Sequence, residues 1–192
     1  FFPAQDIMAK YGTVSPVLQR QIFQPEINDW QVPLIHSRKL ADGRFVDHEI
    51  QRPADQTLIT RRYTTESIRF MREAVTAQKP FFIYLAHSMP HVPLFRSAEF
   101  AGKSKAGIYG DVIEEIDWSL QKIIAATQAL AIDDNTYIVF TSDNGPWSIY
   151  GTHAGTATPL RDGKGTTFDG GMRVMKVFSG PDIHQGIIDD PG

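Results

Sequence analysis

The chain has 192 residues and no cysteine. That excludes disulfides, thiolate zinc sites and a cysteine nucleophile within these residues. No apolar run approaches the roughly 20 residues that a membrane-spanning helix requires. The formal net charge is −3, so there is no broad basic field to hold nucleic acid. Internal repeats and low-complexity tracts are also missing, and no signal-peptide pattern opens the chain. What is present, 42% hydrophobic and 21% charged residues, suits a folded domain with a substantial core. The opening "FFPAQDIMAK" and the closing "IIDDPG" read as cut ends, so the expectation is a segment of something longer.

The first part, residues 1–60, reads as irregular, because Pro3, Pro16, Pro25, Pro33 and Pro53 interrupt any long helix. Apolar residues flank Asp42-Gly43, a pair suited to a turn with positive φ, and predict a surface hairpin. Residues 61–192 form the second unit. "TTESIRFMREAVTAQ" places Ile68, Met71 and Val75 at helical spacing, with Thr64 or Thr65 as cap and Glu66 in the first turn. "FFIYLA", residues 81–86, reads as a strand covered on both faces. A Pro- and Gly-rich loop follows. A helix from about Tyr109 to Leu130 comes next, with Ile113, Ile116, Leu120, Ile123 and Leu130 as its apolar stripe and Asp111, Glu114, Glu115 and Lys122 largely outside it. "TYIVFT", residues 136–141, is the next buried strand.

Strand, helix, strand predicts a right-handed βαβ unit with parallel strands. Ligands of open α/β sheets bind beyond the carboxyl edge of such strands. His87 and His91 follow the first strand, and Asp143 and Asn144 follow the second. Two groups more than fifty positions apart are thus expected on one rim.

Asp143-Asn144 admits two readings. One is an Asx-type turn at a strand end. The other is a hard-cation site, since carboxylate and amide oxygens are the donors calcium or magnesium prefers. His91, between prolines in "PHVP", is either a hydrogen-bonded loop histidine or a proton donor. His87 and His91 are four residues apart, but Pro90 and Pro93 argue against the helix that would make them a zinc pair. Lys164, between Gly163 and Gly165, is either a solvated lysine or a cation presented to an anion by a loop that allows close backbone approach. The P-loop spacing fails there. His153 is a weaker candidate for substrate contact, and Arg161 and Asp169 read as structural. A hard-metal pair, an imidazole and a lysine at one sheet edge suit an anionic ester whose leaving group must be protonated.

Four blocks, "PFFIYLAHSMPHVPL", "GIYGDVIEEIDWSL", "FTSDNGPW" and "PLRDGKGTTFDGGMRV", resemble the sulfatases, the arylsulfatase-type hydrolases of the alkaline phosphatase superfamily. The resemblance runs from about Arg52 to Val174 and is faint before it. It implies an α/β fold, a mainly parallel sheet with flanking helices, of which this chain is a partial domain. It also implies a calcium-dependent sulfate ester hydrolase in which Asp143 and Asn144 bind calcium, His91 protonates the leaving alcohol and Lys164 holds a sulfate oxygen. The substrate is then a sulfated small molecule or a sulfated glycan, in a periplasmic or secreted enzyme.

The family nucleophile is a formylglycine made from a Cys/Ser-x-Pro-x-Arg motif, which this chain lacks. Also missing are the family's N-terminal acidic metal ligands, its Gly-Lys-x-His motif and its small C-terminal domain. Met175 stands where a proline usually follows "RV". The segment alone is expected to be inactive. Two rivals remain open: a phosphoesterase or phosphonate hydrolase of the same superfamily, and a non-catalytic relative that binds sulfated glycans.

Overall fold

Pro16 starts a helix instead of breaking one. In the computed structural model, which describes residues 15–183 and Gly186, α1 spans Pro16–Phe23 with proline in its first turn. There the missing N–H removes no intrahelical bond. The Ser15 hydroxyl caps it, accepting from the Leu18 N–H at 3.2 Å. The hairpin follows as expected, with β1 (Leu34–Lys39) antiparallel to β2 (Phe45–Gln51). Gly43 takes the positive φ of +85° in its turn. Residues 1–14 lie outside the described residues.

Two helices make the body. α2 spans Ile59–Thr76 and packs on α3, Gly107–Ala129. α2 begins earlier than its sequence suggested, because a short 3-10 turn at Gln56–Leu58, capped by Asp55, leads straight into it. Thr64 is therefore not a cap. It is buried on the inner face, donating to the Thr60 carbonyl at 2.7 Å and meeting the Ser119 hydroxyl of α3 at 2.6 Å. Glu66 pairs with Arg69 on the outside.

α3 corrects the expected stripe. Its buried side includes Asp111, Val112, Glu115, Ile116 and Ser119, whereas Ile113 is 39% exposed. The two acids sit one turn apart on the buried face because each has backbone donors to satisfy there. Asp111 accepts from the N–H groups of Gly102 and Ser104, both at 2.8 Å, and from Arg96 Nε at 3.2 Å. Glu115 accepts from the Ser97 N–H at 2.9 Å and lies 3.4 Å from Arg61 Nε. Arg61 also stacks over Trp118, 4.6 Å from its ring centre. Loop 88–106 is thus tied to α3 by two carboxylates. It also contributes Met89, Leu94 and Phe95 to the core, against Val112 and Ile116.

The expected parallel pairing does not form among the described residues. β3 spans Ile138–Thr141 and pairs antiparallel with β4, Lys176–Ser179. Residues 81–87 alternate inward and outward as a strand would, with Phe81, Ile83, Leu85 and His87 partly buried. Phe82 and Tyr84, however, are 86% and 82% exposed, and among the described residues no ladder hydrogen bond engages this segment. A strand is defined by its hydrogen-bonded neighbours, so an apolar extended run without them is not one. β3 is likewise only half covered, with Val139 55% exposed. Among the described residues, no helix is long and apolar enough to cross a membrane.

Candidate functional site

Beyond β3 the chain turns through Ser142–Asn144 and enters "GPW" at 145–147. This turn is stitched to the lysine loop through the backbone. The Gly145 N–H donates to the Gly171 carbonyl at 3.0 Å, and the Lys164 N–H donates to the Pro146 carbonyl at 2.9 Å. The approach is close enough to demand glycine. A Cβ at Gly145 would sit 1.8 Å from the Gly170 oxygen, and one at Gly163 would sit 2.4 Å from the Pro146 oxygen. Nearby, Arg161 lies over the Phe168 ring and Asp169 pairs with Arg173.

Two of the candidate side chains meet at one indole, forming a trio with it. Lys164 Nζ stands 4.7 Å from the Trp147 ring centre, a cation–π distance. The His91 ring centre is 5.7 Å from the same indole. His91 reaches it from loop 88–106, the loop that Asp111 and Glu115 hold. The His91 Nδ1 lies 2.7 Å from the Val92 carbonyl oxygen. A carbonyl only accepts, so Nδ1 carries a hydrogen and Nε2 is left for other partners.

Asp143 and Asn144 precede Trp147 in the same turn. Asp143 is exposed, and no hydrogen bond or ion pair engages its carboxylate among the described residues; Asn144 is half-buried. The Ser142 hydroxyl donates to the Asn144 carbonyl at 3.0 Å. Among the described residues no group of three or more His, Cys, Asp or Glu is placed to hold a metal ion. The acid and amide are thus oxygen donors in kind, but too few to complete a hard-cation site by themselves.

The other two candidate histidines, His87 and His153, stand apart from this trio. His87 is mostly buried between the helices. Its Nε2 lies 3.2 Å from the Ser119 hydroxyl, which in turn meets Thr64. Because the Thr64 hydrogen goes to the Thr60 carbonyl, Ser119 donates to Thr64 and accepts from His87 Nε2–H. Burial holds His87 below the usual histidine pKa, and its buried Nδ1 has no hydrogen-bond partner among the described residues.

His153 lies at the end of a 3-10 segment, Ser148–His153, packed edge-on against Phe23 of α1 at 4.9 Å. Burial, and then the Arg96 charge, lower its pKa. A line of rings joins it to the trio: Phe23 to Tyr150 at 6.1 Å, then Tyr150 to Trp147 at 4.9 Å. Trp147, Tyr150, Phe23 and Arg96 were not singled out from the sequence. The available signal was a tryptophan immediately after "SDNGP" in a glycine-rich loop, where a core role is least natural.

The sulfatase family model matches residues 18–190. The chain is 38% identical over 155 residues to N-acetylgalactosamine-6-sulfatase of Mus musculus, covering 80% of this chain and 28% of that protein. It is 35% identical over 149 residues to steryl-sulfatase of Homo sapiens, covering 74% of this chain and 25% of that protein. Among solved structures, it is similar to Ps i-CgsB in complex with k-i-k-neocarrahexaose, with a TM-score of 0.59 and 33% identity over 72% of this chain and 31% of that one. These structural neighbours carry an alkaline phosphatase-like α/β fold. The chain belongs to the sulfatase family, and it spans between a quarter and a third of the length of these relatives.

Proposed function

We propose that the whole protein hydrolyses sulfate esters, and that this chain supplies the anion-binding and proton-donating side of its site. The observation that carries the reading is the single indole, Trp147, with Lys164 on one contact and His91 on another. Lys164 rests on the Trp147 ring and meets no carboxylate among the described residues, so an arriving sulfate oxygen gains its full attraction. His91, pinned through Nδ1, turns Nε2 outward. It donates the Nε2 hydrogen to the ester oxygen as a nucleophile from another part of the protein bonds to sulfur and the ester sulfur–oxygen bond breaks, so the alcohol leaves neutral. Lys164 meanwhile stays on the sulfate.

Asp143 and Asn144 fit calcium as two of the six to eight oxygen donors it takes, with the rest coming from other parts of the protein. Calcium held there would offset the charge of the bound sulfate. The formylglycine implied by the family has no fit within these residues, because neither a cysteine nor a Cys/Ser-x-Pro-x-Arg motif is present. The chain alone is therefore a sulfate binder without turnover. A sulfated saccharide suits the site best among substrates, in line with the aromatic surface at Trp147 and Tyr150 and with the sugar-bound relative.

The test compares 4-nitrophenyl sulfate with an alkyl sulfate in the whole protein. His91→Ala should lower kcat by about 10²- to 10⁴-fold on the alkyl ester. The loss should be smaller on 4-nitrophenyl sulfate, whose leaving group needs less protonation. Equal losses on both would remove His91 as the acid. Preference for the matched phosphate ester would favour a phosphoesterase, and binding without turnover by the whole protein would favour a non-catalytic relative.

A further inference from the structure

Four bonds in the chain join an acid or its amide to glycine: Asp42-Gly43, Asn144-Gly145, Asp162-Gly163 and Asp169-Gly170. A glycine nitrogen is the least hindered of backbone nitrogens, so at such a bond it can reach the side-chain carbonyl carbon before it. In three of the four the glycine N–H is committed to a backbone carbonyl. Gly43 donates to Leu40 at 3.0 Å, Gly145 to Gly171 at 3.0 Å and Gly170 to Arg161 at 2.9 Å. The Asp42 carboxylate is also held by Arg44 Nε at 2.8 Å, and Asp169 faces Arg173 at 3.6 Å. Gly163 differs. Its N–H turns back onto the side chain before it, 2.9 Å from Asp162 Oδ1. Oδ1 is bonded to Cγ, so the nitrogen already lies beside the carboxyl carbon, as a near-attack arrangement requires. Rotation about χ2 alone presents the carboxyl face to it. Asp162 holds a φ of +64°, which folds the chain into this turn, and its side chain is open to water.

We infer that Asp162-Gly163 is a site of spontaneous modification, where the folded protein converts aspartate to isoaspartate. Gly163 N bonds to Asp162 Cγ, and its hydrogen leaves with the carboxyl hydroxyl as water. Water then reopens the cyclic imide at the original backbone carbonyl, so the main chain runs through Cβ and Cγ. The water lost is regained, and mass is unchanged. The backbone gains a methylene carbon where there is no slack: a Cβ on Gly170 would lie 2.1 Å from the Asp162 carbonyl oxygen. The strain falls on the next link, from the Lys164 N–H to Pro146 at 2.9 Å, and Lys164 leaves the Trp147 ring. The bond thus limits the working life of the anion anchor. Its product is a substrate for an S-adenosylmethionine-dependent isoaspartyl methyltransferase. The isomerisation is independent of the sulfatase reading, and only its effect on sulfate rests on that reading.

The experiment incubates the 192-residue chain for weeks at neutral pH, with and without urea, and samples it by chymotryptic digestion. Residues 161–168, RDGKGTTF, then form a peptide whose only acid is Asp162. Isoaspartate appears there as a peptide of unchanged mass and new retention that accepts a methyl group from the methyltransferase. In the folded chain, conversion at Asp162 should be at least tenfold faster than at Asp42 or Asp169, and urea should bring the three rates together. Asp162→Glu, whose longer side chain closes the ring poorly, should give no isomer. Asp162→Asn, which keeps the positive φ at little cost, should convert faster than the parent with release of ammonia. The response of the Trp147 indole resonance to inorganic sulfate should fade in step with conversion.

Equal rates at the three acids of the folded chain overturn the inference, as does faster conversion of Asp162 in urea than in the folded state. Isomer accumulating beside an undiminished sulfate response overturns the release of Lys164. An indole silent to sulfate from the start sinks the hydrolase reading instead, and the peptide rates still decide the modification.

Discussion

Asp111 is a carboxylate only 1% exposed, at a position where a charge needs several partners. Burial pushes its pKa up, but the Ser104 and Gly102 N–H groups and Arg96 more than offset that, so the folded pKa lies below the ordinary value. A carboxyl whose folded pKa is lowered stabilises the fold above its unfolded pKa, about 3.9. That contribution fades as pH falls through the folded value. Asp111→Ala should cost about 1–3 kcal/mol, because Arg96 and the Gly102 and Ser104 N–H groups lose their acceptor. It should also flatten the acid limb of a urea-midpoint against pH curve.

His87 acts in the same direction at higher pH. Its folded pKa is below the unfolded 6.5, so the unfolded chain binds more protons as pH falls through that range, and stability drops with it. His87→Gln should shrink the stability loss between about pH 7 and pH 5, His153 supplying the remainder. The same scale separates what the sequence could show of the site. His91 and Lys164 were readable because few residue types serve as proton donor or anion anchor. Trp147 was not, because an indole carries no chemistry until the chain places a lysine over it.

At the scale of elements, α3 shows where periodicity misleads. A 3.6-residue pattern weighs Ile113 and Ile116 alike and counts Asp111 and Glu115 as solvent residues. The fold rotates the helix so that both acids face inward, since loop 88–106 brings N–H groups that only an acceptor can satisfy. Ile116→Ala should therefore cost about 2–5 kcal/mol, as deletions in a packed core do. Ile113→Ala should stay within about 0.5 kcal/mol of the parent chain. Equal costs in urea unfolding would return the helix to the orientation its apolar pattern suggests.

Helix existence and the hairpin were legible because long periodic runs and an Asp-Gly turn act locally. The helix start was not, since the 3-10 turn before α2 has no apolar period. Gly145 belongs to this scale too, because it joins two loops. Gly145→Ala puts a Cβ 1.8 Å from the Gly170 oxygen. The stitch must open, at about 1–3 kcal/mol for the overpacking. The mutant should lose the sulfate response of the Trp147 indole even where the helices remain folded by circular dichroism.

Over the whole molecule, the parallel sheet is the feature that local pattern suggested and the described residues do not form. The run at 81–86 has a strand's composition, but pairing is a long-range property, and β3 finds β4 as its neighbour instead. The result is an uneven surface. Around the helical body the core is closed, while Phe82, Tyr84, Tyr137, Val139 and Phe178 are each more than half exposed. Apolar exposure on this scale drives association in water, because roughly 25 cal/mol is recovered for each Å² of apolar area covered. The 192-residue chain should therefore self-associate at concentrations where its helices are fully folded. Phe82→Ser with Tyr84→Ser isolates this effect. At 86% and 82% exposure these rings contribute little to folding, so the double variant should unfold within about 0.5 kcal/mol of the parent. Sedimentation should then show a larger monomer fraction and weaker binding of a hydrophobic dye. A stability loss of several kcal/mol would instead mean that both rings are packed within the chain, and would displace the segment from the surface position it occupies here.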